Sequence, residues 1–201
     1  PLGMLEYEDV RYWDKMTELL DWAEENVQST IFLCWAAHAA MYHFYGVPRQ
    51  LRTNKLSGVF EHDVVQPNDE LMRGFDPSFW APHSRIGEIL NQDYDNVPGL
   101  TVLAQSAAAG TYISATDDRR LVFVTGHPEY DSNTLAQEYE RDLSSGLEPS
   151  VPENYFTADD PSKQPIVRWK SHGNLLLTNW LNYYVYQNTP YDLSTLRRRE
   201  C

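Results

Sequence analysis

The sequence predicts an α/β fold, an open sheet flanked by helices, and two stretches carry that prediction. In the first, Thr30-Ile31-Phe32-Leu33 runs into Cys34, and the small residues Ala36, Ala37, Ala39 and Ala40 follow at once. A buried strand that turns sharply into a helix has this pattern, because strand and helix pass close together and only small side chains fit between them. In the second, Leu121-Val122-Phe123-Val124 is apolar on both sides, as a fully buried strand is, and it ends in Gly126-His127-Pro128-Glu129 before another helical stretch. A length of 201 residues, 42% of them hydrophobic, suits one domain with a sizeable core.

Composition narrows the function classes. The formal net charge is −13, from 29 acidic and 16 basic residues. So acidic a surface repels phosphate backbones, which argues against a nucleic-acid partner. No apolar run approaches a membrane span, and no signal-peptide pattern opens the sequence. The two cysteines, Cys34 and Cys201, make no disulfide framework, so a reducing cytoplasm is expected. Cys201 follows Arg197-Arg198-Arg199 and Glu200 and reads as tail. Pro1 is no translation start, so the sequence reads as cut from something longer, or as opening on a tag remnant.

Taken in order, residues 8–28 predict an amphipathic helix, since Val10, Trp13, Met16, Leu19, Leu20, Ala23 and Val27 recur three or four apart. The elbow strand follows, then a helix from about Ala36 to Tyr45, with Gly46 placed to cap it and Pro48 to stop it. His38 and His43 within it are five apart, share no helical face, and read as packing or surface residues. Residues 49–66 look irregular, with a strand in Gly58–Val65 and with Lys55 in a polar loop. Residues 69–75 predict a short helical turn. Trp80-Ala81-Pro82-His83-Ser84-Arg85 reads as a loop that presents its polar side chains. Three β-runs follow at 100–105, 110–115 and 120–125, and Asp117-Asp118 marks a tight antiparallel turn between the last two. Ser132–Ser145 reads as a helix closed by Gly146. Four prolines make 147–171 a loop, and His172–Gln187 a final helix.

Cys34 alone would be an inert core thiol. The second motif changes that reading. A thiol nucleophile needs a base, and the base needs an orienting group. Cys34 and His127 both follow the C-terminal ends of predicted strands, which in an open α/β sheet share the edge where ligands bind. The His-x-Glu spacing can set Glu129 against the His127 ring and fix its tautomer. Helix N-terminal N–H groups favour a Cys34 thiolate, and the backbone N–H of Trp35 is the nearest candidate to hold an oxyanion.

This Cys…His-x-Glu order resembles the class I glutamine amidotransferase-like fold. Longer matches resemble the homoserine O-acyltransferase family, specifically its homoserine O-succinyltransferase branch. They include Pro1-Leu2-Gly3, Cys34-Trp35-Ala36, Lys55-Leu56-Ser57-Gly58-Val59, Ala81-Pro82-His83-Ser84-Arg85, Phe123-Val124-Thr125-Gly126-His127-Pro128-Glu129-Tyr130, Leu135-Ala136-Gln137-Glu138-Tyr139 and Asn179-Trp180-Leu181-Asn182-Tyr183-Tyr184. The resemblance implies a doubly wound, mostly parallel sheet lacking the family's first strands, in one acyltransferase domain over 1–193 with a tail at 194–201. It implies that Cys34 carries the acyl thioester, His127 accepts the proton and Glu129 partners it. Lys55, Ser84 and Arg141 then bind substrate, and Gly3 sets acyl-CoA preference.

The expected substrates are succinyl-CoA and L-homoserine, with no cofactor, no metal and no membrane or nucleic-acid partner. A homodimer is compatible with the resemblance, and the rest of the protein is expected to supply the missing amino-terminal segment. Acetyl transfer to homoserine or serine, a thiol amidotransferase or hydrolase, and a non-catalytic protein on the same scaffold remain as alternatives.

Overall fold

The computed structural model describes residues 2–190, so the expected tail and Cys201 lie outside the described residues. Its helices are α1 (Trp13–Asn26), α2 (Trp35–Tyr45), α3 (Asn91–Asp95), α4 (Thr134–Ser144) and α5 (Lys170–Asn179). Its strands are β1 (Thr30–Leu33), β2 (Gln50–Val64), β3 (Ser78–Glu88), β4 (Leu100–Ser106), β5 (Gly110–Thr116) and β6 (Leu121–Val124). They form one sheet in the order β1-β6-β5-β4-β2-β3.

The α/β architecture with flanking helices is as expected, but the mostly parallel strand direction needs correction. Among the described strands only β1 and β6 pair in parallel; β5–β6, β4–β5, β2–β4 and β2–β3 are all antiparallel. The cause is local. β4, β5 and β6 are joined by short turns, and a tight turn can only reverse a strand. Among the described residues β1 pairs with β6 alone and forms one border of the sheet.

Two expected loops are strands. Residues 50–57, Lys55 included, belong to β2, and 80–85, Ser84 included, belong to β3, with Ser57 opposite Ser84 and Gly58 opposite His83. Neither stretch alternates apolar and polar residues clearly, so pairing rather than intrinsic preference makes them extended. Pro82 is tolerated because β3 is the outermost strand, where a missing N–H breaks no ladder. Helix α1 begins at Trp13 rather than residue 8. Tyr7 and Val10 are buried but sit in hydrogen-bonded turns, Val10 N–H donating to Tyr7 O and Trp13 N–H to Val10 O. The last helix starts at Lys170 and changes to a π-helix over Trp180–Tyr186.

β6 is fully buried and divides the core. Val122 and Val124 face a cluster with Phe79, Leu103, Ile113 and Leu176, which seats α5. Leu121 and Phe123 face the other way, against Leu20, Phe32, Ala40 and Met41, which seat α1 and α2. The period-2 alternation of a strand thus puts helices on both faces. Gly46, at φ +65°, caps α2 in the left-handed conformation open to glycine. Among the described residues no helix is long and apolar enough to cross a membrane.

Candidate active site

The parallel register matches Leu33 with Val124, so Cys34 and Thr125 leave the sheet side by side. Cys34 is the elbow itself, at φ +49° and ψ −114°. A non-glycine residue held there costs about 1–3 kcal/mol. Its N–H donates to Val124 O at 2.7 Å and its carbonyl accepts from His38 N at 3.2 Å, so strand and helix pin it from both ends. Ala37, Ala39 and Ala40 are at most 1% exposed, as the close strand–helix approach requires.

His127 is seated as firmly. Its N–H donates to Pro82 O at 2.9 Å, and its ring stacks on Tyr130 with centroids 4.1 Å apart. Helix α5 closes over the loop so tightly that a Cβ on Gly173 would lie 2.4 Å from Pro128 O. The Nδ1 of His127 lies 2.7 Å from Glu129 Oε1. That pairing makes Nδ1 the donor and leaves Nε2 for Cys34. Burial pulls the His127 pKa down, but hydrogen bonds with Cys34 and Glu129 and their negative charge raise it to about 9. Thiol, imidazole and carboxylate therefore stand in sequence, the constellation of nucleophilic acyl transfer.

A cavity of about 390 Å³ opens over Cys34, and Gly3, Trp35, Lys55, Ser84 and Arg141 line it too. The Cys34 sulfur is 4.0 Å from Ser84 O. Lys55 sits 3.1 Å from Asp142 and 3.4 Å from Glu138. Arg141, with its side chain 62% exposed, stands at the rim and reaches Asp142 through Nε and Nη2 at 3.0 and 2.8 Å. A Cβ on Gly3 would lie 3.1 Å from Ile86 Cγ2. Trp35 opens α2, so its N–H is among those a helix leaves unpaired.

Sequence reasoning missed Glu138. It accepts hydrogen bonds from Ser84 Oγ and from Tyr130 OH at 2.7 Å, besides facing Lys55. Burial pushes its carboxyl up, but the hydrogen bonds from Ser84 and Tyr130 and the Lys55 charge prevail and hold it below the usual range. The signal was present: Glu138, Arg141 and Asp142 are spaced three and four apart, on one face of a helix.

The fold and site define the chain's class. The structure superposes on a glutamine amidotransferase from Thermotoga maritima with a TM-score of 0.63 at 12% identity, covering 92% of this chain and 74% of that one. A glutamine amidotransferase from Methylobacillus flagellatus gives 0.59 at 13% identity, covering 89% and 72%. The architecture is therefore the class I glutamine amidotransferase-like α/β fold. Residues 1–191 match the model of the homoserine O-succinyltransferase family, and the chain belongs to that family. The homoserine O-succinyltransferase of Pseudoalteromonas atlantica is 62% identical over 199 residues, and that of Alteromonas mediterranea 61%. That of Shewanella piezotolerans is 54% identical. Each alignment covers 99% of this chain, which spans 65%, 64% and 63% of the length of these three relatives.

Proposed function

We propose that the protein to which this chain belongs transfers the succinyl group of succinyl-CoA to the hydroxyl of L-homoserine, giving O-succinyl-L-homoserine and CoA, a step of methionine biosynthesis. The observation that carries the reading is one cavity bordered by Cys34, with His127 and Glu129 in sequence behind it, and by opposed charges suited to an amino acid. Family membership supports it.

The raised His127 pKa favours the state in which the ring holds the proton beside the Cys34 sulfur, which acts as a thiolate. The thiolate attacks the thioester carbonyl, and the first N–H groups of α2, that of Trp35 foremost, face the developing oxyanion. The carbon–sulfur bond to CoA breaks, and His127 gives its proton to the departing thiolate. Acylation removes the negative charge from Cys34, and with it one of the causes that raised His127. The ring therefore gives up its proton more readily and stands neutral when it must take the proton of the homoserine hydroxyl. The oxygen attacks the Cys34 thioester, and the thiolate leaves as the ester forms.

Glu138 offers a carboxylate to the homoserine ammonium, and Arg141 a guanidinium to its carboxylate. Lys55 and Ser84 hold Glu138 in place. This chemistry consumes succinyl-CoA and needs no resident cofactor. Cytoplasmic supply of both substrates fits the cysteine usage. The rest of the protein, in this reading, adds the strands beyond β1.

The test is mass spectrometry of the intact protein mixed with succinyl-CoA. A succinyl adduct on Cys34 that homoserine discharges is expected, and Cys34→Ala should lose both adduct and product. Full transfer by Cys34→Ala would show direct attack on succinyl-CoA. Glutamine hydrolysis without succinyl transfer would favour the amidotransferase alternative.

A further inference from the structure

The charges around the cavity are arranged unevenly. On one side of β3 every cation is neutralised within the protein: Lys55 by Glu138 and Asp142, Arg141 by Asp142. On the other side Arg49 and Arg85 line the same cavity, and neither pairs with a carboxylate among the described residues. Arg85 is 7% exposed and donates to Gly87 O at 2.7 Å, to Ala109 O at 2.5 Å and, through Nε, to His83 Nδ1 at 3.4 Å. Those partners are neutral, and burial pulls the pKa values of nearby His38 and His83 well down, so no second cation crowds it there. A buried cation that no carboxylate contacts favours an anion arriving beside it.

Arg49 is held differently. Its stem lies on Gly87 so closely that a Cβ there would meet Arg49 Cδ at 2.5 Å. Its guanidinium lies 4.7 Å from the Tyr7 ring centroid and donates one hydrogen bond, to Leu5 O at 2.6 Å. Its Nη1 is enclosed and has no partner. The fork is thus preorganised and most of its donors are unspent.

We infer that Arg49, backed by the buried charge of Arg85, binds the distal carboxylate of a dicarboxylic acyl group carried on Cys34. The inference rests on the proposed acyl transfer and adds the residues that recognise the acyl chain. CoA phosphates are the other anions at hand. They lie a pantetheine arm away from the thioester, whereas Arg49 and Arg85 line the same cavity as Cys34. The acyl group's own carboxylate is therefore the anion the position fits.

The experiment compares kcat/KM of the intact protein for succinyl-CoA and for butyryl-CoA, which has a methyl group where succinyl has its carboxylate. Losing a charge-assisted hydrogen bond should lower the succinyl-to-butyryl ratio in Arg49→Met by on the order of 30-fold. Arg49→Lys, which keeps the charge but not the fork, should fall between. If both esters lose equally, the guanidinium serves CoA phosphates or the fold, and the inference fails; an unchanged ratio in Arg49→Lys refutes it even where Arg49→Met does not fold. A second measurement does not depend on transfer. Succinamate, with one carboxylate, should protect Cys34 from iodoacetamide where succinamide does not, and Arg49→Met should lose that protection. Equal protection by the two amides would overturn the subsite. A wild-type protein that transfers neither acyl group but still shows selective protection would overturn the proposed reaction alone.

Discussion

Gly126→Ala would separate the placing of His127 from the stability of the fold. A Cβ at Gly126 would stand 2.7 Å from Pro82 O, 2.8 Å from Tyr112 Cε2 and 3.0 Å from His83 Cε1. Tyr112 and His83 are at most 2% exposed and cannot retreat, and Pro82 O is the acceptor that anchors His127 N–H. The chain bearing His127 must therefore give way. Reaching an ordinary contact of 3.4 Å requires a shift of about 0.7 Å. Overpacking of this kind costs about 1–3 kcal/mol of stability. A displacement near 1 Å at a reacting group costs on the order of 10²-fold in rate. The assay is the single-turnover rate of Cys34 succinylation, with a thermal melt beside it. Gly46→Ala is the control. Nothing lies within 4 Å of its Cβ, its φ of +65° makes alanine strained, and it sits at the far end of α2 from Cys34. The expected result is comparable melting temperatures and a rate about 100-fold lower in Gly126→Ala alone. Rates within threefold of each other would refute the claim that Gly126 sets the position of His127.

Three further outcomes follow from the same geometry. Arg141→Ala should raise the KM for homoserine roughly tenfold and that for succinyl-CoA much less; the effect is modest because the side chain stands mostly in solvent, and equal changes in steady-state KM would make its role structural. Gly3→Glu should shift preference from succinyl-CoA towards acetyl-CoA, because the new carboxylate shares the cavity with the acyl chain while Ile86 Cγ2, at 3.1 Å, needs to give only slightly; steady-state kinetics with both esters would reveal a retained preference. Because the folded pKa of His127 is raised from 6.5 to about 9, its stabilising contribution is complete below pH 6.5 and is lost as pH rises through 9. Melting temperature should therefore fall more between pH 6.5 and 9 in the wild type than in His127→Gln, and parallel curves would contradict the assignment.

What the sequence determines by itself is local. The elbow was legible because four strand formers, one cysteine and a run of alanines admit one geometry. β6 was legible because its apolar residues point both ways, and α2 and α4 because Gly46 and Gly146 close them. The coming together of Cys34 and His127 followed from their shared place at strand ends. Only the tertiary structure decided the rest. Residues 50–57 and 80–85 have no alternating pattern, and they are strands because β2 and β3, to which they belong, pair with each other. The direction of the strands depends on which neighbours short turns bring together. The ordering of charge around the cavity was equally hidden, since Glu138, Asp142, Arg49 and Arg85 look alike in sequence to solvated charges. What sets them apart is which are paired and which are not, and pairing depends on distances between residues far apart in the chain, 87 positions in the case of Lys55 and Asp142.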